Sequence, residues 1–210
     1  MLGLIKKDFL LIKSNSKSMI IVFIIYLMLA LQGTMDVFFI VPLIGITLFI
    51  STFSYDEFNN WNSYVVTLPD GRKNVVRAKY MASIILTIIL GIVSLTISVG
   101  INYIKSNNVN LDAIISSLIG AVFSSIFIIS LFYPIVFKFG ATNARIILFA
   151  MVFGIAAIIG VISRLVDMTS VINMINGLDN YLFVIIPIIS VIILGISYLI
   201  SNKIYQHKEF

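Results

Sequence analysis

The chain has 210 residues, of which 60% are hydrophobic and only 11% are charged, and its formal net charge is +5. Soluble domains carry about 25% charged residues, so this composition excludes a soluble fold and requires lipid as the solvent. The absence of cysteine excludes disulfides, thiolate metal sites and thiol chemistry.

Six apolar segments are long enough to cross a membrane as helices. They are residues 19–35, 37–55, 80–103, 111–137, 146–163 and 181–201. The first two segments meet at residues 32–36, Gln-Gly-Thr-Met-Asp, which predicts a tight hairpin turn containing Asp36. The alternative is a single long buried element. Asp36 is interpreted as a turn or helix cap.

The connection between the second and third segments reads DEFNNWNSYVVTLPDGRKNVVRAKY and contains the only Trp in the chain. Its apolar residues recur at the spacing of one helical face. They are Phe58, Trp61, Val65 and Leu68, with Tyr64 beside them. Pro69 and the Asp70-Gly71 pair predict that this short helix ends there.

Two interpretations of this short helix stay open. It lies in the lipid headgroups with its Trp and Tyr in the aromatic belt. Alternatively, its aromatic face docks into a groove on a soluble partner, since buried Trp and Tyr are common anchors of such contacts.

Small residues recur at a spacing of four in the fifth segment, where they allow helices to approach closely. The pairs are Ala150 with Gly154 and Ala156 with Gly160. Packing within the chain and contact with a second chain are both consistent with this pattern. The fourth segment is rich in serine, which either lines a path or bonds back to its own helix.

Lys and Arg are distributed unevenly among the connections. The N-terminal segment, the 56–80 connection, residues 138–145 and the C-terminal tail carry twelve of them, and the other three connections carry two. The positive-inside rule then places both termini and the 56–80 connection in the cytoplasm. The net positive charge follows from this topology and does not indicate a nucleic-acid partner.

The sequence contains no G-x-x-x-x-G-K-[ST] phosphate loop and no H-E-x-x-H, and its only histidine is His207. Neither an ATP site of that type nor a metal site is therefore predicted. Charged residues are nearly absent from the six segments, whereas proton-coupled transporters keep carboxylates or His there. Any energy for active transport has to come from another chain.

The pattern Y-D-E-x-x-x-W-N-x-Y-x-x-x-L-P-x-x-R-x-x-x-V-x-x-K-Y resembles a loop of small type-2 ABC exporter permeases, similar to those of the staphylococcal phenol-soluble modulin exporter. The matching positions are Tyr55, Asp56, Glu57, Trp61, Asn62, Tyr64, Leu68, Pro69, Arg72, Val76, Lys79 and Tyr80. The layout of six spans is similar over the whole chain, but only this loop is a specific motif.

The resemblance implies that the loop is a coupling helix seated on a separate cytoplasmic ATPase, which binds ATP and magnesium. Trp61, Tyr64 and Leu68 are then expected to fill a groove on that ATPase. Phe58 and Val65 either extend the docking face or pack back onto the bundle. Glu57 is expected either to pair with a basic ATPase residue or to interact with the helix dipole.

The resemblance also implies that two permeases, identical or paralogous, form a dimer through their first and fifth spans. The small residues Ala150, Gly154, Ala156 and Gly160 are then candidates for that interface. The N-terminal segment resembles an interfacial helix that lies along the membrane, with a rough apolar stripe formed by Leu2, Ile5, Phe9 and Ile12.

The sequence thus predicts an all-α membrane protein of the bacterial cell membrane. Residues 1–210 form one transmembrane permease domain with six transmembrane helices, an N-terminal interfacial helix and a cytoplasmic coupling helix. The expected function is export of an amphipathic peptide or drug-like cargo, driven by ATP in a partner chain. The chain itself is expected to be neither an enzyme nor a cofactor protein. A self-sufficient secondary transporter or channel is the main alternative, and a membrane protease is a weaker one.

Overall fold

The computed structural model describes residues 2–14, 16–33, 35–65, 67, 70–106, 111–165 and 179–208. All regular structure within these ranges is helical, as predicted. The α-helices are α1 (Leu2–Ser14), α2 (Ser16–Leu31), α3 (Ile40–Phe58), α4 (Trp61–Val65), α5 (Gly71–Ser106), α6 (Leu111–Leu165) and α7 (Asp179–Gln206).

The predicted turn between the first two apolar segments is present. α2 ends at Leu31, Gly33 has a positive φ of 77°, and a 3-10 turn over Val37–Phe39 leads into α3. The Asp36 carboxylate caps this turn by accepting a hydrogen bond from the Phe38 N–H at 3.2 Å. The alternative of one long buried element is therefore wrong, and Asp36 is a cap as interpreted.

Four helical segments are long and apolar enough to cross a membrane. They are Val37–Phe58, Gly71–Ile104, Leu111–Met151 and Ile185–Gln206. A fifth candidate exists only if Leu2–Ser14 and Met19–Leu31, which are bent by 69° relative to each other, are taken as one span. The part of the chain that the structure describes thus has four or five candidate spans, compared with six predicted.

Two features account for this difference. α2 has only 16 residues, a length of about 24 Å that is shorter than the hydrocarbon layer of about 30 Å. The predicted fourth and fifth segments both lie in α6, which Gly140 interrupts with φ 82° and ψ 168°. Only glycine readily adopts this backbone conformation. α6 therefore consists of a first half (111–139) and a second half (141–165).

α5 begins at Gly71 and not at Tyr80, where the third apolar segment starts. The basic residues of the predicted loop therefore belong to the first turns of this helix. They are Arg72, Lys73, Arg77 and Lys79. The Arg72 guanidinium donates a hydrogen bond to the Gln206 carbonyl, which joins the start of α5 to the end of α7.

An aromatic core lies where α3 ends, α5 begins and α6 is broken, a region called here the Gly140 end of the bundle. The buried Tyr133 ring lies 5.2 Å from that of Phe53 and 4.8 Å from that of Tyr80, centroid to centroid, both edge to face. Phe137 packs in the same way against Phe53 and Tyr205. Such pairs add stability beyond their buried area, so this end has a firmly packed core.

Buried hydroxyl groups join three helices next to this core. The Tyr80 hydroxyl lies 2.6 Å from Ser197 Oγ and 2.9 Å from Ser201 Oγ, and Ser197 donates to the Ser130 carbonyl. Polar contacts of this kind hold helices together in lipid. The hydroxyl groups of four serines of α6 donate hydrogen bonds to carbonyls of their own helix. This favours the predicted alternative of serines bonding back to their helix over serines that line a path. The four serines are Ser116, Ser124, Ser125 and Ser130.

Candidate functional site

The predicted docking residues lie on both sides of a turn, and not on a single helix. α3 ends at Phe58, and Asn60 has a positive φ of 50° before α4 begins at Trp61. Asparagine tolerates this conformation better than most residues. The prediction of one continuous stripe is therefore wrong, because the turn at Asn60 separates Phe58 from α4. Leu68 lies outside the described residues.

Two aromatic side chains of this segment face outward, and they are called here the outward pair. Phe58 is 85% exposed and Tyr64 is 55% exposed. Val65 is fully buried and belongs to the hydrophobic core. Of the two roles predicted for Phe58 and Val65, Val65 thus takes the packing role, while Phe58 remains available to a partner.

Trp61 connects α4 to the N-terminal helix. Its ring lies 5.1 Å from the Tyr64 ring, and the Lys7 Nζ lies 4.4 Å from its ring centroid, which is a cation–π contact. The Trp61 Nε1 is buried and has no acceptor among the described residues. Trp61 therefore supports Tyr64 from behind, and its insertion into an ATPase groove stays a prediction.

Four charged side chains form a closed ring next to Trp61, called here the four-charge ring. Lys7 lies 2.5 Å from Asp56 and 3.4 Å from Asp8, and Lys79 lies 3.0 Å from Asp8 and 2.7 Å from Asp56. The sequence did not predict this ring. Each charge has an opposite charge on both sides, and the four sum to zero.

The four-charge ring fixes α1 to the bundle. Asp8, Asp56 and Lys79 are all buried, and Asp8 is the buried residue of α1. Phe9 and Ile12 pack against the core, as the predicted stripe requires, whereas Leu2 is exposed. Because a buried charge is stable only when it is paired, the ring sets the position of α1 against α3 and α5.

The Glu57 carboxylate turns toward the break in α6. Its Oε2 accepts a hydrogen bond from the Ala141 N–H at 2.7 Å, directly after Gly140. On the other side of the break, the carbonyl of Phe137, three residues before Gly140, accepts a hydrogen bond from the Lys208 Nζ at 2.9 Å. Burial lowers the pKa of Lys208, and the negative charge of Glu57 opposes this by raising it. An ion pair of Glu57 with an ATPase stays a prediction.

A cavity of about 220 Å³ lies between the four-charge ring and the break in α6. Its charged lining consists of Asp56, Glu57, Lys79 and Lys208. This volume holds several water molecules at about 30 Å³ each. Within the described ranges, no three His, Asp or Glu residues lie close enough to hold a metal ion.

The second half of α6 presents an exposed face of small and aromatic residues. Ala150 and Gly154 are exposed there, as are Phe149 and Phe153. Among the residues that the structure describes, a Cβ atom built on Gly154 or Gly160 would meet nothing within 4 Å, so packing against this part of the chain does not explain the glycine at position 154. The side chain of Ala156 lies outside the described part.

Comparison with known proteins identifies the family but no individual relative. No curated protein and no solved structure matches the chain significantly. A family model described as "ABC-2 family transporter protein" matches residues 3–206, which is nearly the whole chain. Permeases of this family have no ATPase site of their own, and the family implies a partner ABC ATPase subunit. The chain therefore belongs to the ABC-2 family of transporter proteins and is the membrane permease subunit of an ABC transporter.

Proposed function

We propose that this permease works in an ATP-driven exporter and that the outward pair docks it onto the cytoplasmic ABC ATPase. The exposure of Phe58 and Tyr64 on a segment that Trp61 and Val65 fix to the bundle carries this proposal. Exposed aromatic side chains on a backbone segment that is already packed are effective anchors, because the backbone loses little freedom on binding. α4 is then the coupling helix, and the ATPase binds ATP and magnesium.

The proposed topology has six spans with both termini in the cytoplasm. A straight helix of the length of α6, 55 residues, would extend about 80 Å, more than twice the hydrocarbon thickness. The break at Gly140 supports two spans that meet at the cytoplasmic surface. α2, α3, α5 and α7 supply the other four, with α2 short enough to require local thinning of the bilayer.

The proposed assembly contains two permeases, identical or paralogous, that enclose a path for an amphipathic peptide or drug-like cargo. The exposed small residues Ala150 and Gly154 support a contact of the second half of α6 with a second permease. Closure of the ATPase dimer on ATP moves α4 in each permease, which exposes the path alternately to the two sides of the membrane.

Purification from native cells in mild detergent tests the docking role. The tagged chain is expected to retain an ABC ATPase in stoichiometric amount, and the double variant Phe58→Ala/Tyr64→Ala is expected to lose at least nine-tenths of it. Because both side chains are exposed, the variant should melt at the parental temperature. Trp61→Ala should also lose the ATPase, since Tyr64 loses its support.

Tyr103→Ala is the matched control, because Tyr103 is 64% exposed at the other end of α5. This variant should retain the ATPase fully. Full retention of the ATPase by Phe58→Ala/Tyr64→Ala would place the docking site elsewhere. Transport that persists without any ATPase would instead favour the predicted alternative, a self-sufficient transporter or channel.

Single cysteines test the topology, since the chain has none of its own. Cysteines at Met35 and Asn176 should react with a membrane-impermeant maleimide added to intact cells. Cysteines at Asn143 and His207 should react only after permeabilisation. Labelling of position 143 in intact cells would show that the break in α6 does not face the cytoplasm.

A further inference from the structure

The break in α6 exposes both ends of one helical hydrogen bond. In an uninterrupted helix the Ala141 N–H would bond to the Phe137 carbonyl four residues earlier. Here the donor has the Glu57 carboxylate as its partner, and the acceptor has the Lys208 ammonium. Two side chains from distant parts of the chain thus take the place of one backbone bond.

The charges of these two side chains fit the helix ends that they cap. The last carbonyls of a helix, such as those ending the first half of α6, lack intrahelical N–H partners and favour a cation. The first N–H groups of a helix, such as those beginning the second half, lack intrahelical carbonyl partners and favour an anion. Lys208 lies at the former and Glu57 at the latter. Both contacts therefore stabilise the broken form of α6 specifically.

The space beside Gly140 is shaped around Glu57. A Cβ atom at position 140 would lie 2.9 Å from Glu57 Oε1 and 3.3 Å from Oε2. The carboxylate therefore sits against the bare Cα of the glycine, and the break and the carboxylate depend on each other. Glu57 is also the residue before Phe58, one of the outward pair, so a displacement of Phe58 acts directly on this contact.

We propose that Glu57 and Lys208 form a latch that fixes the angle between the two halves of α6, and that movements of the docking segment reach α6 through Glu57. In this proposal Glu57 and Lys208 are positioning residues and do not contact the cargo. The first part concerns this chain alone, whereas the second part rests on the proposed function.

Distances between spin labels on the two halves test the latch in the chain alone. Cysteines at Phe127 and Phe153, both exposed, report the angle by double electron–electron resonance in lipid nanodiscs. Glu57→Ala and Lys208→Met should each shift the mean distance and broaden its distribution. Glu57→Gln keeps an acceptor oxygen but loses the charge. Its distance distribution should therefore lie between that of the parent and that of Glu57→Ala.

Matched controls remove the same charges nearby without touching the break. Asp70→Asn removes an acid from an exposed site with a positive φ that asparagine accepts, and Lys203→Met removes an exposed cation from the end of α7. Both should retain the parental distribution. A parental distribution for Glu57→Ala or for Lys208→Met would overturn the latch. If Glu57→Ala is not monodisperse, the distance distributions of Glu57→Gln and Lys208→Met test the latch in its place.

The complex with the co-purified ATPase tests transmission separately from docking. A non-hydrolysable ATP analogue should shift the label distance in the parent, and this shift should be lost in Glu57→Gln while the ATPase is still retained. Loss of the ATPase by Glu57→Gln would make Glu57 a docking contact and overturn its role in transmission. If no ATPase co-purifies with the parent, the proposed function fails. The spin-label distances in the isolated chain still test the latch in that case.

Discussion

Lys79→Met is expected to destabilise the protein by about 3–5 kcal/mol, the usual cost of removing one partner from a buried ion pair. Lys79 is the buried cation of the four-charge ring, at 3% exposure, and it contacts both Asp8 and Asp56. Without it, two buried carboxylates share only Lys7. For a chain of this size, the apparent melting temperature in detergent should fall by about 10 °C.

Lys73→Met is the matched control, because Lys73 is exposed on the same helix, and its melting temperature should stay parental. The double variant Asp8→Asn/Lys79→Met keeps the Lys7–Asp56 pair and restores neutrality. Its loss of unfolding free energy should therefore be smaller than the sum of the losses in the two single variants by about 0.5–3 kcal/mol, the usual range for coupled neighbours. Additive effects in this cycle would mean that the ring does not act as a unit.

Gly140→Ala is expected to have the second large effect. The backbone at φ 82° and ψ 168° costs a non-glycine residue about 1–3 kcal/mol in strain alone. The new methyl group would also displace the Glu57 carboxylate, since it would lie 2.9 Å from Oε1. The melting temperature should fall, and the label distance between the two halves of α6 should change as it does in Glu57→Ala.

Gly120→Ala provides the comparison within the same helix. A Cβ atom at Gly120 meets nothing within 4 Å, and alanine is a better helix former than glycine by about 1 kcal/mol. This variant should be as stable as the parent or slightly more stable. A Gly140→Ala protein that melts like Gly120→Ala would show that the break does not require glycine.

The long apolar segments correctly predicted an all-helical membrane protein, because spanning lipid requires continuous runs of apolar residues that are visible in the sequence. They did not reveal that the fourth and fifth segments lie in one broken helix. The turn before Asp36 was also predictable from its polar residues. At positions 58–68 the apolar spacing indicated one helix, although the Asn59-Asn60 pair is a turn signal. The structure shows that the turn at Asn60 prevails over the apolar periodicity.

The four-charge ring and the latch could not be predicted from one sequence. Asp8 and Lys79 are 71 residues apart, and Glu57 and Ala141 are 84 apart. Local patterns report which residues share a helix face, but they do not report which helices meet. The positive-inside rule counts the charges at the ends of apolar segments to predict topology, but it does not predict which of those charges pair with each other.

The separation of Asp8 from Lys79 also has a consequence for how the protein is made. The ribosome synthesises Asp8 71 residues before Lys79, so α1 has no complete set of charged partners while α2 and α3 are being synthesised. α1 therefore remains in contact with water or lipid headgroups until the first turns of α5, which contain Lys79, have left the ribosome. The order of synthesis therefore makes docking of the N-terminal helix a late step of membrane insertion, although this helix is translated first.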